Sequence, residues 1–327
     1  MRQANLTFLL FLGLFSASLA AQQPCATSAA AAQVHAAQAD LLRQPTQEMA
    51  TEVEPLLQTR IKTFKTALLN AVDAAMQCVG ATADAATIQQ TLDNVLVANQ
   101  SRQAGTPAGQ LAKEEPDTYG GALKMTVSTP ASATSLRAVE LSYGISCGSD
   151  HMLLMYAANS GGWQRAFVWQ SEIYADISKA FGDWLSYTVI PSSSLGAIKV
   201  AVAHGTAWCT SNISGAGIDV LAPVQGKAAP RLVWHHDEGY RRETDPRMLA
   251  RPDGFELRLD VSTIELEQVI RKGVFRYRVE GDSVMRVQPI AIDGRGFVDV
   301  WLQAPWSDAQ RWSVAEGLPT FAKVHEQ

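Results

Sequence analysis

The sequence predicts an α+β protein: a small N-terminal helical hairpin or three-helix unit, then a larger, mainly antiparallel β domain of propeller-like or sandwich form. Three observations carry this. Residues 26–100 hold apolar side chains at helical spacing. Residues 101–118 break every period. From residue 119, short runs rich in Val, Ile, Tyr, Phe and Trp alternate with Gly, Ser, Asn and Asp turns. The expected organisation is a signal peptide at 1–20, a helical region at 21–100, a linker at 101–118, the β domain at 119–306 and a C-terminal tail at 307–327. With 327 residues, 47 % hydrophobic and 18 % charged, the composition excludes a disordered or collagen-like chain. The formal net charge of −5 lacks the basic footprint that nucleic acid or an anionic membrane surface demands.

The N-terminus reads as an export signal. Arg2 precedes the apolar run Leu6–Phe15, and Ser18 and Ala20 put small residues where cleavage after Ala20 needs them. The run is short of the roughly 20 apolar residues of a membrane span, and no later stretch is long enough, so no stable span is expected after signal removal. Gln22-Gln23-Pro24 before Cys25 does not fit a lipid-anchoring signal. An even number of cysteines in an exported chain favours disulfides. The expected pairs are Cys25–Cys78 and Cys147–Cys209, each within one compositional region and each stabilising by about 4 kcal/mol in the chain-entropy model.

In the helical region, Leu57, Ile61, Phe64, Leu68, Val72, Ala75 and Val79 step by three and four along one helix face. Pro55 suits its first turn and Gly80 its end. Asp84 can cap a third helix carrying Ile88, Leu92, Val95 and Leu96. The linker holds Gly105, Pro107, Gly109 and Pro116.

The β region offers twelve candidate strands: Leu123–Ser128, Ala138–Tyr143, Met152–Ala157, Gln164–Gln170, Trp184–Ile190, Ile198–His204, Ile218–Ala222, Arg231–His235, Phe255–Val261, Val274–Glu280, Val284–Ile290 and Phe297–Leu302. One helical candidate, Ser171–Phe181, interrupts them. Two hairpins look alike, Met152–Trp169 and Ile218–Trp234. Each follows a cysteine (Cys147, Cys209) and precedes a tyrosine (Tyr174, Tyr240), and Val274–Ile290 has the same shape. In this third hairpin a three-residue loop with a Gly bulge would pair apolar with apolar residues, because one register step moves every side chain to the other face.

That register would place Arg276, Arg278 and Arg286 together, as an anion-binding patch or as an ordinary solvent face. His235-His236-Asp237-Glu238 is the densest group of ligand-type side chains. On a strand only alternate residues share a face, so the usable pairs are His235 with Asp237 and His236 with Glu238. His151 and His204 would join them near the Cys147–Cys209 bridge if the hairpins share an edge, with His204, His236 and Glu238 as a catalytic set and His151, His204, His235 and Asp237 as a divalent-metal set. No cofactor is otherwise expected. HExxH, a P-loop and GxGxxG are absent. Gly144-Ile145-Ser146-Cys147-Gly148 matches GxSxG only formally, because a strand rather than a helix follows it. Asn99-Gln100-Ser101 and Asn212-Ile213-Ser214 are glycosylation acceptors only in a host that uses them. Trp163, Trp169, Trp184, Trp208 and Trp234 either line a sugar- or peptide-binding surface or belong to the core.

The functional expectation is an exported, periplasmic or extracellular binding or envelope-associated module with a protein or carbohydrate ligand. Its rival is an exported hydrolase or metal-dependent enzyme. A third reading leaves the Leu57–Val79 stripe uncovered for a partner.

Overall fold

A computed structural model describes residues 27–44, 50–96, 118–191, 198–209, 213–224, 227–241, 246–262, 270–289, 291 and 294–326. The expected signal peptide, Cys25, both glycosylation acceptor asparagines and the linker up to residue 117 lie outside these residues.

Three helices open the described chain: α1 (Thr27–Leu42), α2 (Pro55–Cys78) and α3 (Ala85–Leu96). Pro55 sits at the first helical position of α2, where its missing N–H costs nothing. The Asp84 carboxylate caps α3 by accepting from Thr87 N at 2.8 Å. The strands are β1 (Lys124–Ser128), β2 (Leu136–Ile145), β3 (Gly148–Asn159), β4 (Gly162–Gln170), β5 (Phe181–Ile190), β6 (Lys199–Thr206), β7 (Ile213–Val224), β8 (Lys227–Arg241), β9 (Arg247–Arg251), β10 (Gly254–Ser262), β11 (Ile270–Glu280) and β12 (Ser283–Arg286). They form three four-stranded antiparallel sheets, each with its strands in chain order: β1–β4, β5–β8 and β9–β12. Among the described residues no sheet closes on itself. The three look-alike hairpins occupy the third and fourth strands of the three sheets.

Strand alternation stacks these sheets face to face. On β3, Met152, Leu154 and Tyr156 join Phe64, Leu68 and Ala71 of α2 in one apolar cluster. The alternate residues Leu153 and Met155 join Val200 and Val202 of β6 in a second. On β6, Ala201 and Ala203 turn the other way and pack with Phe255, Leu257, Phe275 and Tyr277 of the third sheet. The middle sheet is therefore covered on both faces. Helices and first sheet share one core. The α2 stripe is inside it, with Ile61, Phe64, Leu68, Val72 and Ala75 all buried. That overturns the reading of an uncovered stripe.

A buried polar knot ties α2 to the first sheet. Lys65 Nζ lies 2.7 Å from Asp150 Oδ2, both side chains almost wholly buried. Tyr143, Tyr174 and Ser171 hydroxyls donate to the same carboxylate at 2.9, 3.2 and 3.0 Å. Every acceptor of Asp150 is engaged, as a charge in a dry core requires.

Three sequence expectations fail for identifiable reasons. Ser171–Phe181 is not a helix. Its backbone pairs with residues 51–53, through Val53 N to Ala175 O and Ile177 N to Thr51 O at 2.9 Å each, leaving one 3₁₀ turn at Ile177–Lys179. Phe297–Leu302 is not a strand but part of helix α4 (Gly294–Gln303), which precedes α5 (Trp306–Ala309) and α6 (Leu318–His325). A run this short fits either period, and the helix turns Trp301 onto Trp306, Phe321 and His325. The β11–β12 loop has two residues, not three. Glu280 pairs with Ser283 and Tyr277 with Arg286. Gly281, with φ +56°, supplies the left-handed first corner of a type II′ turn without a bulge.

Candidate functional site

A cleft of about 600 Å³ opens at the edge where the first and middle sheets meet. The turn after β2 brings Cys147 to this edge, and the β6–β7 connection brings Cys209. Their disulfide (S–S 2.02 Å, Cα–Cα 4.9 Å) staples the two sheets across the cleft wall. Gly182, at the start of β5, lets that strand press onto the first sheet. A Cβ there would lie 2.6 Å from Ser149 O and 2.7 Å from Ala207 N.

Strain collects at the same place. Among the described residues, the non-glycine positions with positive φ are Ala122 (45°), Cys147 (58°) and Asp183 (61°), and all three line this cleft. An L-residue in the left-handed region costs roughly 1–2 kcal/mol. Such residues persist only where surrounding structure fixes them, and they gather at functional sites. At Asp183 the cause is a β-bulge between Gly182 and Leu185. The bulge turns the carboxylate so that Oδ2 accepts from Tyr240 OH at 2.7 Å.

Polar groups line the rest: Lys124, Ser142, Ser149 and His151, with the partly exposed indole of Trp208 beside Cys209. Ser149 Oγ and His151 Nε2 are 3.0 Å apart. Burial pushes the His151 imidazole down to about 4, against the pull of Asp150, so the ring is neutral at pH 7.

This chain matches no protein-family model, no curated protein and no solved structure. Its site has to be read from its own residues.

The metal set expected from sequence is brought to one interface. The pairings His204–Gly217–Asp237 and Val202–Asp219–His235 place His204, His235 and Asp237 on the face of the middle sheet turned to the first. His151, in phase with Leu153 and Met155, faces them from β3. Their nitrogens, however, serve other partners. His235 Nδ1 meets Asp219 Oδ1 at 2.7 Å, and its Nε2 meets Asp237 Oδ1 at 3.1 Å. Burial opposes the charge on His235, but these two carboxylates outweigh it and raise its pKa. Asp219 also accepts from Trp169 Nε1 at 3.1 Å. His204, buried, contacts Gly205 O through Nδ1 at 3.0 Å and packs beside the stacked Phe181 and Trp169 rings. Burial lowers its pKa. Among the described residues no three His, Cys, Asp or Glu side chains are arranged to hold a metal.

The expected catalytic set is split. His236 and Glu238 pair with each other at 3.3 Å, but they lie on the third-sheet face of β8, opposite to His204. The arginine set is split as well. With Arg286 opposite Tyr277, it leaves the face of Arg276 and Arg278 and sits over the Trp312 ring.

Lys124, Ser142, Ser149, Asp183 and Glu140 all escaped the sequence reading. Asp183 stood in a Gly-Asp-Trp run that reads as an ordinary strand start, and the bulge that turns it is tertiary. Glu140 did carry a signal, as a lone carboxylate inside the apolar strand Ala138-Val139-Glu140-Leu141. It lines a second cleft, about 350 Å³, with Tyr187 and Ser128. Their hydroxyls are 2.6 Å apart. Burial raises the Glu140 carboxyl to about 7.

Proposed function

We propose that this protein is an exported binding module that holds a small polyhydroxylated ligand, of carbohydrate type, in the disulfide-edged cleft. The convergence of all three left-handed non-glycine residues on one cleft wall carries this reading, since strain kept by the surrounding structure preorganises a site. The lining suits such a ligand. An indole offers a face to a sugar ring, while an ammonium, a carboxylate, two hydroxyls and a neutral imidazole offer donors and acceptors. The disulfide supports export, since such bonds persist in oxidising compartments. We read the stacked sheets as sandwich-like rather than propeller-like, because the apolar clusters on both sides of the middle sheet join it face to face with the first and third sheets.

The Ser149–His151 contact favours a second reading, a hydrolase with Ser149 as nucleophile. A general base works best with a pKa near the operating pH. His151, pushed down to about 4, is a weak base, so binding is the better supported reading. Titration of the full chain against a glycan array, followed by Trp208→Ala, tests it. Saturable binding that the variant loses at least tenfold, with the carbohydrate recovered intact, is expected. Ester or glycoside turnover abolished by Ser149→Ala would replace it with the hydrolase.

A further inference from the structure

We propose that the second cleft binds a small organic cation: a primary ammonium on a short apolar tail, held by Glu140. This cleft lies where the opening strands of the three sheets, β1, β5 and β9, come together, each at one edge of its sheet. Ser128 of β1, residues 185–189 of β5 and residues 248–250 of β9 line it, with Glu140 of β2. At about 350 Å³ it suits a small ligand.

Strand register aims the acid into this space. Ser128 pairs with Ala138 and Thr126 with Glu140, so Ser128 and Glu140 share the face on which Ala138 packs against the middle sheet. Tyr187 faces them from β5, in the same apolar layer as Leu185. The Tyr187 and Ser128 hydroxyls are 2.6 Å apart, so lone pairs remain on both oxygens for a further donor. Burial, with the nearby Glu140 charge adding to it, pushes the Tyr187 hydroxyl up to about 12.

Glu140 differs from the other acids of the core. Among the described residues the fully buried acids each meet a basic side chain. Asp150 meets Lys65, Asp219 meets His235, and Glu256 meets Arg251, Arg258 and Arg276. Among the described residues no basic side chain or hydrogen-bond donor engages Glu140, and the cleft lining carries no positive charge. Burial alone pushes its carboxyl up to about 7. Of the other titratable groups at this interface, Lys124 and His151 line the first cleft, and His204, Asp219, His235 and Asp237 meet the partners already described. On β9, Arg251 holds Glu256 and Arg247 has a partner of its own.

A half-buried carboxylate without a counter-charge is costly, and an incoming cation supplies one. An alkylammonium stays charged at pH 8. Its three donors match a carboxylate and two hydroxyl oxygens. Leu185, Val189, Pro130 and Leu249 give its tail an apolar bed. A divalent metal would call for further carboxylates or imidazoles, and the lining has none. A neutral ligand would leave the carboxylate unpaired.

Isothermal titration of the full chain with butylammonium chloride tests this. Expected is saturable binding at pH 8 and about tenfold weaker binding at pH 6, because a carboxyl with a pKa of about 7 falls from about nine-tenths to about one-tenth ionised. Neutral n-butanol should bind at least about tenfold more weakly at pH 8, and Glu140→Gln should weaken butylammonium binding by at least as much. Tyr187→Phe, which keeps the ring, should weaken it severalfold and keep the pH dependence; it decides the matter if Glu140→Gln does not fold. Trp208→Ala, in the first cleft, should bind butylammonium like the parent, so failure of the carbohydrate reading leaves this one standing. Absence of saturable binding at pH 8, unchanged binding by the folded variants at Glu140 or Tyr187, or equally tight binding of butanol overturns the proposal. Binding lost in Trp208→Ala and kept in Glu140→Gln would also overturn it, by placing the cation in the first cleft.

Discussion

Lys65 shows what a single residue decides in this fold. It lies on α2 among apolar neighbours, reaches a carboxylate on β3, and both are out of water. Desolvating two ions offsets most of their attraction, so such a pair is weak evidence of stability by itself. Removing one partner is another matter. Lys65→Met leaves Asp150 buried, and the Tyr143, Tyr174 and Ser171 hydroxyls cannot neutralise it. The expected loss is about 3–5 kcal/mol in urea unfolding. Lys65→Met with Asp150→Asn, which keeps acceptors for the hydroxyls, should recover most of it. A single variant within about 1 kcal/mol of the parent would show that Asp150 is not held charged in the core.

Elements are where sequence patterns worked and where they failed. The α2 stripe and the Asp84 cap were legible because helix period and capping are local. Twelve strands were sought and eleven of the segments named lie at least partly in strands, since alternation is local as well. Register was not legible. In the third hairpin, apolar matching favoured a three-residue loop, but Gly281 closes a two-residue turn and sends Arg286 to the opposite face from Arg276. Turn geometry prevailed there because Arg286 could cover the Trp312 ring rather than face solvent. The Cys147–Cys209 bridge was legible from cysteine arithmetic, and it makes an element-level prediction. Closing a loop of 62 residues, it contributes about 4 kcal/mol in the chain-entropy model. Cys147→Ala with Cys209→Ala should lose about that amount in urea and weaken the carbohydrate binding proposed for the cleft. Intact binding with only stability lost would show that the bridge serves the fold and not the site.

At the scale of the whole molecule, composition misleads about charge. A net −5 conceals three arginines gathered on the one carboxylate of Glu256, because the average over the chain says nothing of which strand face a residue takes. The candidate site was legible only in outline for the same reason. His151, His204 and His235 do meet at one interface, but the bulge at Asp183 and the burial of Glu140 depend on which sheets stack. That stacking buries titratable groups of opposite habit, and pH should reveal it. The folded pKa of His151 is depressed from 6.5 to about 4, and that of His204 moves the same way. Their contribution to stability is complete above pH 6.5 and is lost as pH falls through the folded values. The folded pKa of Glu140 is raised from 4.5 to about 7. Its contribution is complete below pH 4.5 and is lost as pH rises through 7. Glu256, held at about 2, adds to the acid decline, because its carboxyl protonates first in the unfolded chain, near 4.5. Between pH 4.5 and 7 the histidine and Glu140 trends oppose each other, so the urea midpoint should change less with pH than the histidines alone would make it. Glu140→Gln keeps the neutral form at every pH, so it should steepen the rise of stability between pH 4.5 and 7 and stabilise the chain at pH 8, with little effect below pH 4.5. An unaltered pH profile in that variant would mean that Glu140 is ionised and solvated in the folded protein, and that the second cleft is open to water.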